Sequence, residues 1–224
     1  MSTLLTRFSD AMADAVADVR RSVVQITDGG GSIGAGTVWH ADGLIITNAH
    51  VVLRWEPLLP RRGPRQRASG AALVAPALTV VLPDHHRLRA RVIATDVEND
   101  LAALAVDAHD LPTIALGDSR SVRTGQWVMA LGHPWGMRDA ATAGVVIGMG
   151  ADLPEMQPDR EWLALNLTLR PGHSGGPLVD TQGYLLGINT MISGPEVGFA
   201  VPVHVVKAFL KASLGRNAGD AVTV

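Results

Sequence analysis

Twelve short β-prone runs follow one another between residues 22 and 202, and none of them is longer than nine residues. They read SVVQIT, GTVWHA, GLIITNA, ALTVVL, LRARVIATD, LAALAV, WVMALG, AGVVIGMG, WLALNL, GPLVD, LLGINTMI and GFAVP. Gly, Asp and Pro punctuate them at short intervals. An all-β barrel or sandwich is the fold class that accepts such a pattern. Helical spacing appears only at the two ends. Leu4, Leu5, Phe8, Met12, Val16 and Val19 line one helical face behind Thr3, a candidate N-cap. A second helix is expected from Val203 to about Leu214, with Pro202 near its start and Gly215 at its end.

Of the 224 residues, 47% are hydrophobic and 18% charged, enough for a sizeable core. The net charge of -2 gives no global attraction for nucleic acid or anionic membrane. The chain has no cysteine, which excludes disulfides, thiolate metal sites and a cysteine nucleophile. The first residues, MSTLLTRFSDAMADAVADVRR, do not read as a secretory leader. A cytoplasmic location is therefore expected for the chain as written, and a periplasmic one if a leader precedes it. The most apolar stretch, residues 71–82, is interrupted by Pro76 and falls short of the roughly 20 residues that span a bilayer.

Three motifs compete for the chemistry. GGGSIG satisfies G-x-G-x-x-G through Gly29, Gly31 and Gly34, but it leads into strand and hairpin rather than a helix that could receive a pyrophosphate. GHSGG matches the nucleophile elbow G-x-S-x-G of esterases and lipases, yet that elbow runs into a helix and Pro177 here opens a β-hairpin. The third arrangement joins LIITNAHVV with His50, ENDLAALAV with Asp100 and RPGHSGGPLVD with Ser174. Its chain order is His, Asp, Ser, as in chymotrypsin-type proteases. His85 and His86 occupy a turn, and no H-E-x-x-H or cysteine pair supports a metal site. His40, His109, His133 and His204 read as structural.

On these segments the chain resembles the trypsin-like protease domain of the HtrA/Deg family. Thr47 to Val52 match its TNxHVV, Asp100 to Leu104 its DLAxL, and Leu131 to Gly136 its GxPxG segment. GINT at Gly187 to Thr190 and GFAVP at Gly198 to Pro202 complete the likeness, which covers nearly the whole chain up to Pro202. It implies two perpendicular six-stranded β-barrels of the chymotrypsin type. It also implies a serine endopeptidase acting on unfolded or damaged polypeptides without a cofactor or metal. The alternative on the same fold is a catalytically silent binding or chaperone module.

A serine hydroxyl is a weak nucleophile at neutral pH, so an imidazole must take its proton, and a carboxylate must orient that imidazole. The resemblance gives these roles to Ser174, His50 and Asp100, with Asp96 the nearest rival to Asp100. By the same resemblance the oxyanion donors are the amides of Gly172 and Ser174, and the substrate pocket is lined by Thr168, Leu169, Ile192 and Ser193. No acid stands there, so an aliphatic side chain is expected at the cleaved residue. The family usually has Asn where this chain has His173, Asn where it has Arg170, and Asp where it has Asn166. His173 is expected to serve loop packing or the surface rather than catalysis.

The organisation expected is a helix over 1–21, a protease domain over 22–215 with the barrel boundary near 110–122, and a flexible tail over 216–224. The family commonly continues into a PDZ domain after this point, and a protease domain without that appendage is expected here. The resemblance implies polypeptide substrates and homotrimers through N-terminal segments, for which Leu4, Leu5, Phe8 and Met12 offer an apolar stripe; packing of that stripe on the body of the same chain is the alternative. Residues 54–70, with Arg61, Arg62, Arg65 and Arg67 among prolines and glycine, read as a long surface loop beside His50 and a candidate lid.

Overall fold

The structure is a computed structural model that describes residues 3–57, 70–74, 77–150, 160–193 and 197–215. Helix α1 (Leu4–Val19) starts where the Thr3 side chain accepts the Thr6 amide at 3.3 Å. The first barrel is built from β1 (Val23–Thr27), β2 (Ser32–His40), β3 (Leu44–Thr47), β6 (Thr79–Val81), β7 (Arg87–Asp96) and β8 (Leu101–Val106). They close in the order β1-β2-β3-β8-β7-β6. Between β3 and β6 lie the short helix α2 (Ala49–Val52) and an antiparallel ribbon of β4 (Leu53–Pro57) and β5 (Gly70–Val74). The second barrel comprises β9 (Trp127–Gly132), β10 (Ala140–Met149), β11 (Leu163–Asn166), β12 (Pro177–Asp180), β13 (Leu185–Ser193) and β14 (Val197–Pro202). It closes in the order β10-β11-β14-β13-β12-β9, and α3 (Val203–Leu214) follows.

All twelve β-prone runs become barrel strands, and every ladder within the barrels is antiparallel. The reading of 54–70 as loop from its first residue is corrected. Residues 54–57 and 70 belong to the β4–β5 ribbon, while the arginine-rich part and the proposed lid lie outside the described residues. Residues 216–224 lie outside them as well.

Three apolar clusters explain why several strands carry no polar face. In β8, Ala102, Leu104 and Val106 point into the first barrel, whereas Leu101 and Ala103 join a cluster shared by both barrels and both terminal helices. The same period of two sends Val128 and Ala130 of β9 into the second barrel and Met129 and Leu131 into the shared cluster. Burial on both faces is what lets Leu101–Leu104 of β8 and Val128–Leu131 of β9 stay apolar without alternation. The serine loop sits at this junction. The Ala35 amide of β2 donates to the Ser174 carbonyl at 2.8 Å, and the Thr37 hydroxyl donates to the Gly175 carbonyl at 3.2 Å.

Candidate active site

His50 lies on α2, a single helical turn behind Asn48. Asp100 lies in the tight turn joining β7 to β8, with a left-handed φ of 53°. Asn48 fixes that turn: its amide Nδ2 donates to the Asp100 carbonyl at 2.9 Å, and the residue is fully buried. One carboxylate oxygen of Asp100 accepts the His50 backbone amide at 3.0 Å, and the other accepts from His50 Nδ1 at 2.8 Å. The Thr190 hydroxyl also donates to that second oxygen. Asp100 is thus held by three donors, two of them on the partner it orients. Asp96 does something else, accepting the Asn99 amide at 3.0 Å and the Asn99 side chain at 2.7 Å, which shapes the same turn.

Ser174 meets this group through Thr190. Its hydroxyl donates to the Thr190 carbonyl at 2.8 Å, so one residue touches the serine with its backbone and the aspartate with its side chain. Among the described residues no hydrogen bond links Ser174 Oγ to His50. The loop around Ser174 needs its glycines. Gly175 has φ +85°, and a Cβ there would lie 2.1 Å from the Ala35 carbonyl and 2.2 Å from the Thr47 hydroxyl. Gly172 has φ +107°, and a Cβ would lie 2.4 Å from the His133 carbonyl. The His173 amide donates back to the Arg170 carbonyl at 2.9 Å, and the Gly172 carbonyl is held by the His133 amide at 2.9 Å. With those bonds made, the amides of Gly172 and Ser174 donate to no acceptor among the described residues.

Behind the loop sit two buried histidines, His133 and His173, each 3% exposed. His173 Nδ1 accepts the Arg170 amide at 3.0 Å, which assigns it to loop packing rather than the surface. Desolvation lowers its pKa. Desolvation also lowers that of His133, to about 4, against the opposing pull of Asp139. His133 Nδ1 faces the Asp139 amide at 3.4 Å, and the Nε2 atoms of both rings lack a hydrogen-bond partner.

The remaining positions named from the sequence are more dispersed. Thr168 is exposed, while Leu169 is buried at 3% in the second barrel and packs against Gly198. Ile192 and Ser193 end β13, and their side chains lie outside the described residues. Asn166 is exposed at the end of β11. Thr190, Asn48 and Asn189 were not singled out in the sequence, although all stand inside the quoted TNxHVV and GINT segments. Asn189 is fully buried and donates to the Pro177 carbonyl at 2.9 Å, while its backbone amide binds the Gly176 carbonyl at 2.9 Å. Their signal was a polar residue set in an apolar run, within β13 for Asn189 and Thr190 and between β3 and α2 for Asn48.

A family model described as the trypsin-like peptidase domain matches residues 34–188. A probable periplasmic serine endoprotease DegP-like from Pseudomonas fulva is 36% identical over 190 residues, covering 81% of this chain and 35% of the relative. A protein of the same description from Halomonas elongata is 35% identical over 179 residues, covering 78% of this chain and 33% of the relative. The chain thus spans about a third of the length of these curated relatives. Among solved structures, the HtrA-type protease AlgW with decapeptide superposes with a TM-score of 0.75 at 26% identity, over 91% of this chain and 67% of that one. AlgW with tripeptide gives a TM-score of 0.74 at 29% identity, over 92% and 64%. With the model spanning most of its length and relatives more than a third identical over about four fifths of it, this chain belongs to the family of trypsin-like peptidase domains.

Proposed function

We propose that this chain is a serine endopeptidase of HtrA/Deg type that cleaves unfolded or damaged polypeptides, with residues 22–215 as the catalytic unit. The observation that carries this is the pair of unspent amides at Gly172 and Ser174, beside a His50 already oriented by Asp100. In the reaction Ser174 Oγ leaves the Thr190 carbonyl by rotating about its side-chain bond. It then attacks the scissile carbonyl as His50 Nε2 takes its proton. The imidazolium is stabilised by Asp100, which hydrogen bonds from Thr190 and the His50 amide hold in place. The developing oxyanion accepts from Gly172 and Ser174, each donor lowering the barrier by about 3 to 4 kcal/mol in proteases of this kind. His50 next protonates the leaving amine, and water repeats the sequence on the acyl-enzyme.

The pocket of Thr168, Leu169, Ile192 and Ser193 offers no carboxylate, which supports an aliphatic side chain on the acyl side. The relatives are named periplasmic, and we carry that compartment to this chain in place of the cytoplasm. Leu4 and Leu5, 82% and 79% exposed, support trimer formation through α1. A silent binding module on this fold draws support from one observation, the Ser174 hydroxyl resting on Thr190 rather than His50. Labelling with a fluorophosphonate separates the two. The wild-type chain is expected to label at Ser174 and Ser174→Ala to remain unlabelled. An unlabelled wild type that still binds unfolded protein would make it the silent module.

A further inference from the structure

One surface beside the serine loop has no role in the scheme above. The segment 133–139 turns tightly, with the Gly136 amide on the His133 carbonyl at 3.0 Å and the Met137 amide on the Pro134 carbonyl at 2.8 Å. Trp135 takes φ +53° and ψ +24°, a left-handed conformation that a bulky side chain rarely adopts. The strain does not serve burial. Trp135 is 73% exposed and Met137 59%, and among the described residues only Leu4 and Leu5 are large apolar side chains with more exposure. Strained backbone that presents an indole to solvent is the kind of outlier that points to a binding role.

The turn is anchored where the chemistry lies. The His133 amide holds the Gly172 carbonyl, the Trp135 amide faces the Pro171 carbonyl at 3.3 Å, and a Cβ on Gly172 would meet Pro134 Cα at 2.8 Å. Its far end is tied to the first barrel, where Arg138 donates to His85 Nδ1 at 2.6 Å. Arg170 lays its guanidinium 6.0 Å from the Trp135 ring centroid, and no carboxylate pairs with it among the described residues. On the pocket assignment proposed above β13 lines the acyl side, and Thr190 of that strand holds the Ser174 hydroxyl. Pro134 and Trp135 lie instead against Gly172 and Pro171, which on that assignment leaves them to the part of a substrate beyond the serine.

Resting on the peptidase reading, we propose that Trp135, Met137 and Arg170 form a subsite for the substrate's leaving-group side, taking a large apolar or aromatic side chain and rejecting a basic one. The indole supplies a flat face for stacking, and Met137 adapts to different shapes. Arg170 repels a lysine or arginine at the same place.

Matched quenched-fluorescence peptides, identical except at the second residue after the scissile bond, test this. For the full chain, kcat/KM is expected to fall from Phe to Ser by about fivefold, the size of one aromatic contact, and to be lowest for Lys. Trp135→Asn, a residue that tolerates left-handed backbone, should bring the Phe-to-Ser ratio close to one, and Trp135→Phe should restore it. Arg170→Gln should raise the Lys peptide relative to Ser. A wild type that cleaves all three alike, or a ratio that survives in Trp135→Asn, overturns the subsite while leaving the peptidase intact. No cleavage of any peptide together with no fluorophosphonate labelling overturns both.

Discussion

Thr190 serves two neighbours with two different atoms, and nothing about a threonine in GINT announces that. The three residues named from the sequence were legible because chain order and flanking motif identify them, whereas their supports depend on contacts between segments 52 to 90 positions apart. His133 and His173 were legible as non-catalytic, but not as buried and deprived of a partner for Nε2. That burial has a measurable result. His133 stays neutral in the folded chain down to about pH 4, while an unfolded chain takes up the proton near pH 6.5. Stability is therefore undiminished above pH 6.5, falls as the pH drops through that window, and levels off below about 4. The full effect of such a shift is about 3 kcal/mol. Urea unfolding at pH 7.5, 6 and 4.5 should show it, and His133→Gln should flatten the slope. Equal slopes for the two proteins would place the acid sensitivity elsewhere.

At the scale of elements, the β-prone runs were visible because turns of Gly, Asp and Pro separate them, and both terminal helices because their spacing changes. The β4–β5 ribbon escaped notice because its strands flank a segment whose arginines and prolines dominate the composition. The start of α3 was read for its proline alone. Pro202 has no side chain to cap with, and the cap comes instead from Ser119, whose hydroxyl accepts the His204 amide at 3.2 Å and donates to His204 Nδ1 at 2.8 Å. His204 Nε2 then reaches Glu161 at 2.8 Å, fastening the helix to the edge of β11. Ser119→Ala should cost about 1 to 2 kcal/mol, the usual worth of a lost cap. In a chain of this size that is a fall of roughly 2 to 8 °C in Tm. A melt within 1 °C of wild type, by the same rough scale, would mean water replaces the hydroxyl.

For the molecule as a whole, α1 divides into two halves with different fates. Ala15 and Val19 are buried in the shared cluster, and Val19 packs on Gly183, so the second half belongs to the body. Leu4 and Leu5 are exposed, and Phe8 meets Trp127 edge-on at 6.0 Å, with Trp127 itself 48% exposed. The sequence presented one apolar stripe and could not say where packing stops. Removing residues 1–8 should therefore leave the fold intact and lower the mass from about three times 23.6 kDa to one, as read by light scattering. Identical monomer masses before and after would end the trimer proposal. The hydrogen bonds from Ala35 and Thr37 to the serine loop have their own consequence at this scale. His50 and Asp100, the proposed base and its carboxylate, come from the part of the chain made first during synthesis and Ser174, the proposed nucleophile, from the second barrel, so the loop is braced only when the two have docked. A ribosome-bound or half-folded chain therefore carries a serine loop without its braces, and whatever Ser174 does must wait until both barrels are complete.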